Sequence, residues 1–419
     1  MTVESSGGNV LVVEPMGASG EVLLQSVRRR GFRSVVATTP EVHRDSLLAV
    51  ADLIDETIYV DFSDGDQAVN ALVLAGRHYG FCGVVVSWEF LTDVAARVAA
   101  ALGLRGPDLE HAHARRNKLE MSATWKVAGL PVPELLAVVD PVTFHEGALR
   151  CLTYPVVVKP AENSASFGVT VVDRADGMAD AVKEASAWTH EFPHGIPFDR
   201  SVLVQDYLLG QEFSVEGVSD GGRFFTWGVT MKNTTEGAAC AETGHVFPAP
   251  ISPDLAAGII ELASEGTAAL GITDGISHTE IKLDANGEPR LIETGPRPAG
   301  DLIPQLVRLA TGESPTDVYV RQATGGLPAG FVPRRARRAA AIRFIMPPRT
   351  GVFNAITFPE RLAAGEIVET RVTAEPGTGV VAGSTNVERV GWIMVKARDG
   401  ESAAAALCEV DSETRLSLT

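Results

Sequence analysis

Two alternating runs around Asn286-Gly287 constrain this chain more than any other feature. HTEIKL (residues 278–283) and RLIET (residues 290–294) switch sides at each residue, and Asn-Gly between such runs signals a two-residue hairpin turn. With Ala285 and Glu288 bracketing the turn, Glu280 lies five steps before Ala285 and Glu293 five steps after Glu288. The spacing predicts that the two carboxylates face each other. Opposed Cβ atoms in such a ladder lie about 4.5–5.5 Å apart, and like charges there are destabilising. A cation between them removes the conflict. All-oxygen ligands favour Mg²⁺, which typically takes one or two carboxylates plus substrate phosphates. The competing reading is that Lys282 or Arg297 neutralises the pair.

The 419 residues leave room for three or so domains with sizeable cores, and 45% hydrophobic with 21% charged residues is ordinary for a globular chain. A net charge of −17 argues against nucleic acid or an anionic membrane as partner. Any anionic ligand must then be held by local positive groups. The only lysines are Lys118, Lys126, Lys159, Lys183, Lys232, Lys282 and Lys396, so a lysine at a strand end is informative. Cys82, Cys151, Cys240 and Cys408 form no CxxC pair, and the start carries no signal-peptide pattern. The expectation is a reduced, cytoplasmic protein without structural zinc. No uncharged apolar run reaches the roughly 18 residues that span a bilayer.

In chain order, NVLVV (residues 9–13), the EPMGASG turn, an amphipathic stretch to Arg30 and a second strand over residues 34–38 form a parallel α/β unit. The turn lacks GxGxxG spacing and the second strand ends in Thr38-Thr39 without an acid, which excludes a dinucleotide fingerprint. GVVVS (residues 83–87) is a further buried strand with Glu89 at its carboxyl end, a candidate for holding a substrate ammonium or for starting the next helix. Residues 114–129 read as a helix with Arg115, Arg116 and Lys118 near its start, where an anion would be welcome. YPVVVKP (residues 154–160) delivers Lys159 beside the small-residue loop NSASFGV (residues 163–169), which suits a phosphate clamp although GxxxxGK[ST] is absent. SVLVQ (residues 201–205) leads into a strand with Glu212, Ser214 and Glu216 on one face. A further strand (residues 224–232) ends in Lys232, and Glu242-Thr243-Gly244-His245 follows it. A helix is expected over residues 301–309. After a Pro/Gly-rich boundary at residues 325–333 and the basic run 334–338, the tail reads as a small β-rich appendage with no catalytic residue.

These motifs, in this order, resemble the ATP-grasp superfamily: residues 154–160, 163–168, 205–216 and the HTEIKL…LIETGPR hairpin. Within it, ETGH, HTEIK and the RPAG run at residues 297–300 look like the L-amino acid ligases that make dipeptides. The likeness spans roughly residues 10–310. It implies an α/β (α+β) ATP-grasp fold, with an N-terminal Rossmann-like parallel domain (residues 1–105), a small or lid subdomain (106–205), a large subdomain with the metal hairpin (206–330) and a C-terminal β-rich domain (331–419). It implies an ATP-dependent ligase joining a carboxylate to an amine through an acyl phosphate. The cofactors would be ATP and Mg²⁺ and the partners small-molecule substrates; homodimers are common in such folds.

By the same resemblance, Lys118 and Lys159 contact phosphates, and Ser164, Ser166 and Gly168 belong to a lid loop. Gln205, Asp206, Tyr207 and Leu208 present adenine contacts, and Glu212 takes the ribose. Lys232 reaches the terminal phosphate, and Glu242, Glu280 and Glu293 hold the metal. Arg297 stabilises the transferring phosphoryl group, while His245 and Glu89 lie by the substrate. Gly295 stands where many members place Asn, and Phe167 where a basic residue is frequent. Two alternatives stay open: a bicarbonate-using carboxylase or purine-pathway ligase, and a nucleotide-binding subunit without catalysis.

Overall fold

The computed structural model describes residues 7–419 except 146, 148, 150, 236, 238 and 384. Four parallel strands begin it: β1 (Asn9–Val13), β2 (Arg33–Thr38), β3 (Glu56–Tyr59) and β4 (Phe81–Val86), in the order β3-β2-β1-β4. Helices α1 (Gly17–Arg29), the single turn α2 (Pro40–Val42), α3 (Gly65–Tyr79) and α4 (Thr92–Ala101) connect and flank them. Because strand side chains alternate, Leu11 and Val13 pack with α3 and α4 residues, whereas Val10 and Val12 pack with α1 and with Tyr319, Val320 and Ala323 from much later in the chain. Strand β1 is therefore apolar from Val10 to Val13.

The next unit starts with α5 (Lys118–Val127) and an antiparallel sheet of β5 (Leu135–Val139), β6 (Val156–Pro160), β7 (Thr170–Val172) and β8 (Val202–Asp206), with α6 (Met178–Ala185) against it. The expected helix at residues 114–129 begins later than its sequence suggested. The Asn117 side chain accepts the backbone N–H groups of Leu119 and Glu120, capping α5 at Lys118. This divides the basic cluster. Arg115 is buried and donates to the carbonyls of Leu270 and Asp108, Arg116 faces Glu162, and Lys118 alone turns to the cavity described below.

An eight-stranded sheet forms the rest of the frame. It contains β9 (Glu212–Asp220), β10 (Arg223–Thr234), β11 (Glu242–Phe247), β12 (Gly275–Leu283), β13 (Pro289–Gly295), β14 (Ala339–Ile345), β16 (Glu366–Val372) and β18 (Gly391–Ala397), in the order β13-β12-β9-β10-β11-β14-β18-β16. Helices α7 (Pro253–Ala269), α8 (Ile303–Thr311), α9 (Pro315–Gly325) and α10 (Gly400–Glu413) complete it, with the short strands β15 (Gly351–Thr357), β17 (Gly379–Val380) and β19 (Arg415–Leu418) outside. Helix α8 starts at Ile303, not residue 301, because Asp301 and Leu302 both adopt positive φ. The tail is not isolated: β14 pairs antiparallel with β11, so the C-terminal strands extend the same sheet. Among the described residues, no helix is long and apolar enough to cross a membrane.

One buried network ties the first unit to the second. The His194 Nε2 lies 2.8 Å from Glu14, its Nδ1 lies 3.0 Å from Glu191, and Trp88 donates its indole N–H to Glu191 at 2.8 Å. Burial opposes a charge on His194, but the two carboxylates override it and raise its pKa to about 9. Since that value exceeds the ordinary 6.5, the stabilisation is complete below about pH 6.5 and is lost as pH rises through about 9. His194→Ala should cost about 3–5 kcal/mol. The thermal midpoint of His194→Gln should lie furthest below the wild type near pH 6 and converge on it towards pH 10, as calorimetry across that range will read.

Candidate functional site

The hairpin sets Glu280 opposite Glu293, although by a different route from the simple count. Asp284 donates its N–H to the Glu288 carbonyl at 2.9 Å and Gly287 donates to Asp284 at 3.0 Å, so the turn contains three residues, Ala285, Asn286 and Gly287. Gly287 has φ +82°, as the left-handed position of such a loop requires. The extra turn residue moves the register by one, and a bulge at Ile292 moves it back. The two offsets cancel at the acids.

Neither Lys282 nor Arg297 neutralises the pair. Glu280 bonds Lys232, whose Nζ also lies 3.0 Å from Glu212 and 2.5 Å from Glu242. Glu293 lies 3.0 Å from the Nζ of Lys118, which also donates to the Asn163 carbonyl at 2.6 Å. Lys282 sits over the Tyr207 ring, and Arg297 bonds Glu89. Burial works against ionisation of Glu280, but Lys232 and His278 together hold its pKa well below the usual carboxylate range. Burial likewise opposes the charge on Lys232, and its acidic neighbours raise its pKa well above normal. Burial dominates at Glu242 and pushes it up to about 8 in spite of Lys232. Lys159, buried and repelled by Lys118, falls to about 8.

These groups open on one cavity of about 1020 Å³, large enough for a nucleotide and small substrates together. It takes in Lys118, Lys159, Ser164, Ser166, Gln205, Asp206, Tyr207, Leu208, Glu212, Lys232, Glu242, Glu280, Glu293, Arg297 and Glu89. Gly168 and His245 stand just behind the lining: Gly168 has φ +73° at the end of the lid loop, and His245 is fully buried. Ala165 and Ser166 in that loop also have positive φ, and the Ser166 hydroxyl donates to the Cys240 carbonyl at 3.0 Å. Phe167 packs on Trp188 with ring centroids 5.7 Å apart.

Of the three expected metal carboxylates, Glu242 and Glu280 come together with Glu212, their oxygens all within 4.8 Å of one another. Glu293 flanks this group from the opposite strand. The three carboxylates form an all-oxygen donor set of the kind that fits Mg²⁺. A Cβ at Gly295 would come 3.0 Å from the Glu89 carboxylate, so Glu89 fills the space that a side chain at 295 would take. One Glu89 oxygen is buried with no hydrogen-bond partner.

Four residues with a place in the site were given no role from sequence. His278 bridges Glu216 at 3.1 Å and Glu280 at 3.3 Å and is raised to about 10, those acids overcoming its burial. It lies two residues before Glu280, so the strand period already put it on the same face. Asp301 receives two bonds from Arg389, at 2.6 and 2.7 Å, and lies 3.1 Å from His245. Asn386 exchanges bonds with Glu242 at 2.9 and 3.2 Å. Asn386 and Arg389 come from the tail, which reads from sequence as an appendage with no catalytic residue; they hold Glu242 and Asp301 in place, and no local pattern marks them. Burial depresses the His245 pKa and leaves a neutral ring whose Nδ1 has no partner.

Comparison with known proteins agrees with this geometry. Residues 152–305 match an ATP-grasp domain and residues 343–419 match L-amino acid ligase C-terminal domain 2. The chain is 25% identical to the alanine–anticapsin ligase of Bacillus subtilis over 346 residues, 75% of this chain and 72% of that protein. It is 26% identical to the D-alanine–D-alanine ligase of Laribacter hongkongensis over 320 residues, 74% of this chain and 89% of that protein. An L-amino acid ligase structure from Bacillus licheniformis superposes with a TM-score of 0.80 at 21% identity, covering 99% of each chain, which establishes the fold.

The depressed Lys159 pKa has a measurable consequence. Its ammonium is present below about pH 8 and is lost above it, so affinity for a nucleoside triphosphate in the free protein should decline as pH rises through about 8. Lys159→Arg, charged throughout, should move that decline to higher pH in a binding titration.

Proposed function

We propose that the chain, which matches an ATP-grasp domain and an L-amino acid ligase C-terminal domain, is an ATP-dependent ligase that joins the carboxylate of one amino acid to the amine of another, converting ATP to ADP and phosphate. The observation that carries this reading is the pair of opposed carboxylates, each on a buried lysine, facing one large cavity with Lys159 and Arg297.

A carboxylate oxygen of the first substrate attacks the γ-phosphorus, the bond to ADP breaks, and an acyl phosphate forms. The amine nitrogen of the second substrate then attacks the carbonyl carbon, and phosphate leaves. Charge spreads over the phosphoryl oxygens during the first step, so groups already aimed there are worth most. Lys118 and Lys232 are held beside Glu293 and Glu280, from which each can turn to an arriving phosphate. Glu280 and Glu293, with Glu242 or Glu212, would hold a Mg²⁺ ion, whose positive charge would offset that of the phosphates. Gln205, Asp206, Tyr207 and Leu208 line the adenine end.

Glu89 and Arg297 offer opposite charges to a zwitterionic acid substrate: the carboxylate for its ammonium, the guanidinium for the acyl phosphate. His245 is neutral and lies 3.1 Å from Asp301, which lines the cavity, so the proton that the attacking amine sheds can reach the ring by way of that carboxylate. Closure of the loop at residues 163–168 keeps water from the acyl phosphate.

A screen of paired amino acids with ATP and Mg²⁺, read as phosphate release with products weighed by mass spectrometry, should give a dipeptide for at least one pair. ADP formed only with bicarbonate, or no ADP with any pair, contradicts the reading. Glu280→Gln and Glu293→Gln should each lower turnover about 10²-fold or more with the circular dichroism spectrum unchanged, the several kcal/mol attached to metal-bound phosphate. Full turnover in either removes the metal assignment.

A further inference from the structure

The C-terminal strands supply a wall of the cavity that the chemistry above leaves unused. Phe344 on β14 pairs with Trp392 on β18, and Trp392 pairs with Arg371 on β16. Directly paired residues share a face of the sheet, and all three line the cavity. The row passes from a buried ring through a half-buried indole to an exposed guanidinium. Its inner end adjoins the reacting groups, since Phe344 lies 5.8 Å from His245, centroid to centroid, and carries Arg389 over its face at 3.7 Å. Its outer end differs from the other arginines of the cavity and its rim. Arg297 is paired with Glu89 and Arg389 with Asp301, whereas Arg371 has no ion pair or side-chain hydrogen bond among the described residues. In a chain of net charge −17, a cavity-facing guanidinium left without a carboxylate is suited to receive one from a ligand.

We propose that Phe344, Trp392 and Arg371 form the subsite for the amine substrate, selecting one that carries its own carboxylate and an apolar or aromatic side chain. Trp88, Glu89 and Arg297 line the same cavity, and the proposed function gives Glu89 and Arg297 to the acid substrate. The amine substrate then approaches over the aromatic row, with its nitrogen towards His245 and its carboxylate towards Arg371. Aromatic faces accept apolar side chains of many shapes, while the guanidinium demands the anion. This inference rests on the ligase reading, and the test separates the two.

Hydroxylamine, which has neither carboxylate nor side chain, traps the acyl phosphate as a hydroxamate. Its formation tests the ligase reading without using the subsite and reports a folded ATP site in every variant. Each enzyme is then given saturating ATP, Mg²⁺ and acid substrate, with the amine supplied either as a free amino acid or as its carboxamide. The wild type should prefer the free acid in kcat/KM by roughly tenfold or more, the scale of one charge-assisted contact. Arg371→Ala should bring that ratio near one by raising KM for the free acid. Arg371→Lys should restore part of it, and Trp392→Ala should reduce the preference for aromatic over small amines. A ratio equal in wild type and Arg371→Ala, with hydroxamate still formed, overturns the subsite. A shift in KM for the acid substrate in place of the amine also overturns it. Absence of hydroxamate in the wild type removes the ligase reading and the subsite with it.

Discussion

Lys232 stands among Glu212, Glu242 and Glu280, and the rest of the site depends on that arrangement. Three carboxylates within one small volume would repel each other strongly in a buried setting. One ammonium does not neutralise three acids: burial, with Asp301 and Glu280 nearby, pushes Glu242 up to about 8 in spite of Lys232, while Lys232 and His278 overcome burial to hold Glu280 low. The cluster keeps negative charge beside the cavity, which suits the divalent ion we propose for it. Lys118 plays the matching part for Glu293 on the facing strand. On the proposed reading these are provisional pairings, each of which a phosphate and its metal exchange for a stronger one.

The frame that holds these groups is drawn from distant segments. Strand β10 brings Lys232, the hairpin β12–β13 brings the opposed acids, and β11 brings Glu242 and His245. Strand β14 then joins the tail to β11, which places Asn386 and Arg389 against Glu242 and Asp301. On the other side, Glu14, His194 and Glu191 anchor the loop that carries Trp88, and Glu89 follows directly in sequence. The N-terminal sheet is in turn covered by α9, so the first 100 residues and the later helices share a core.

Much of this was legible in the sequence because it depends on local periodicity. Alternation about Asn286-Gly287 gave the opposed glutamates, even though the turn is longer than a two-residue count and the Ile292 bulge restores the register. Strand-end lysines and the small-residue loop were visible for the same reason. Arg115 shows where such reasoning stops. Its place near a helix start suggested an anion, but the cap at Asn117 and the carbonyls of Leu270 and Asp108 turn it into the interior. Arg389 and Asn386 lie more than 140 residues from Glu242, and only sheet pairing brings them together. The convergence of Glu212, Glu242 and Glu280 on Lys232 is not legible in the sequence, because spacing within one strand does not reveal which side chains come in from others.

The central claim is that the facing acids release their lysines to a metal-bound nucleotide. A crystal structure with ADP and Mn²⁺, with the metal located by anomalous scattering, tests it most directly. The account requires Mn²⁺ coordinated by Glu280 and Glu293, with the Lys232 ammonium turned from the carboxylates to a phosphate oxygen. Nucleotide bound with both lysine pairs intact and the metal elsewhere would contradict it.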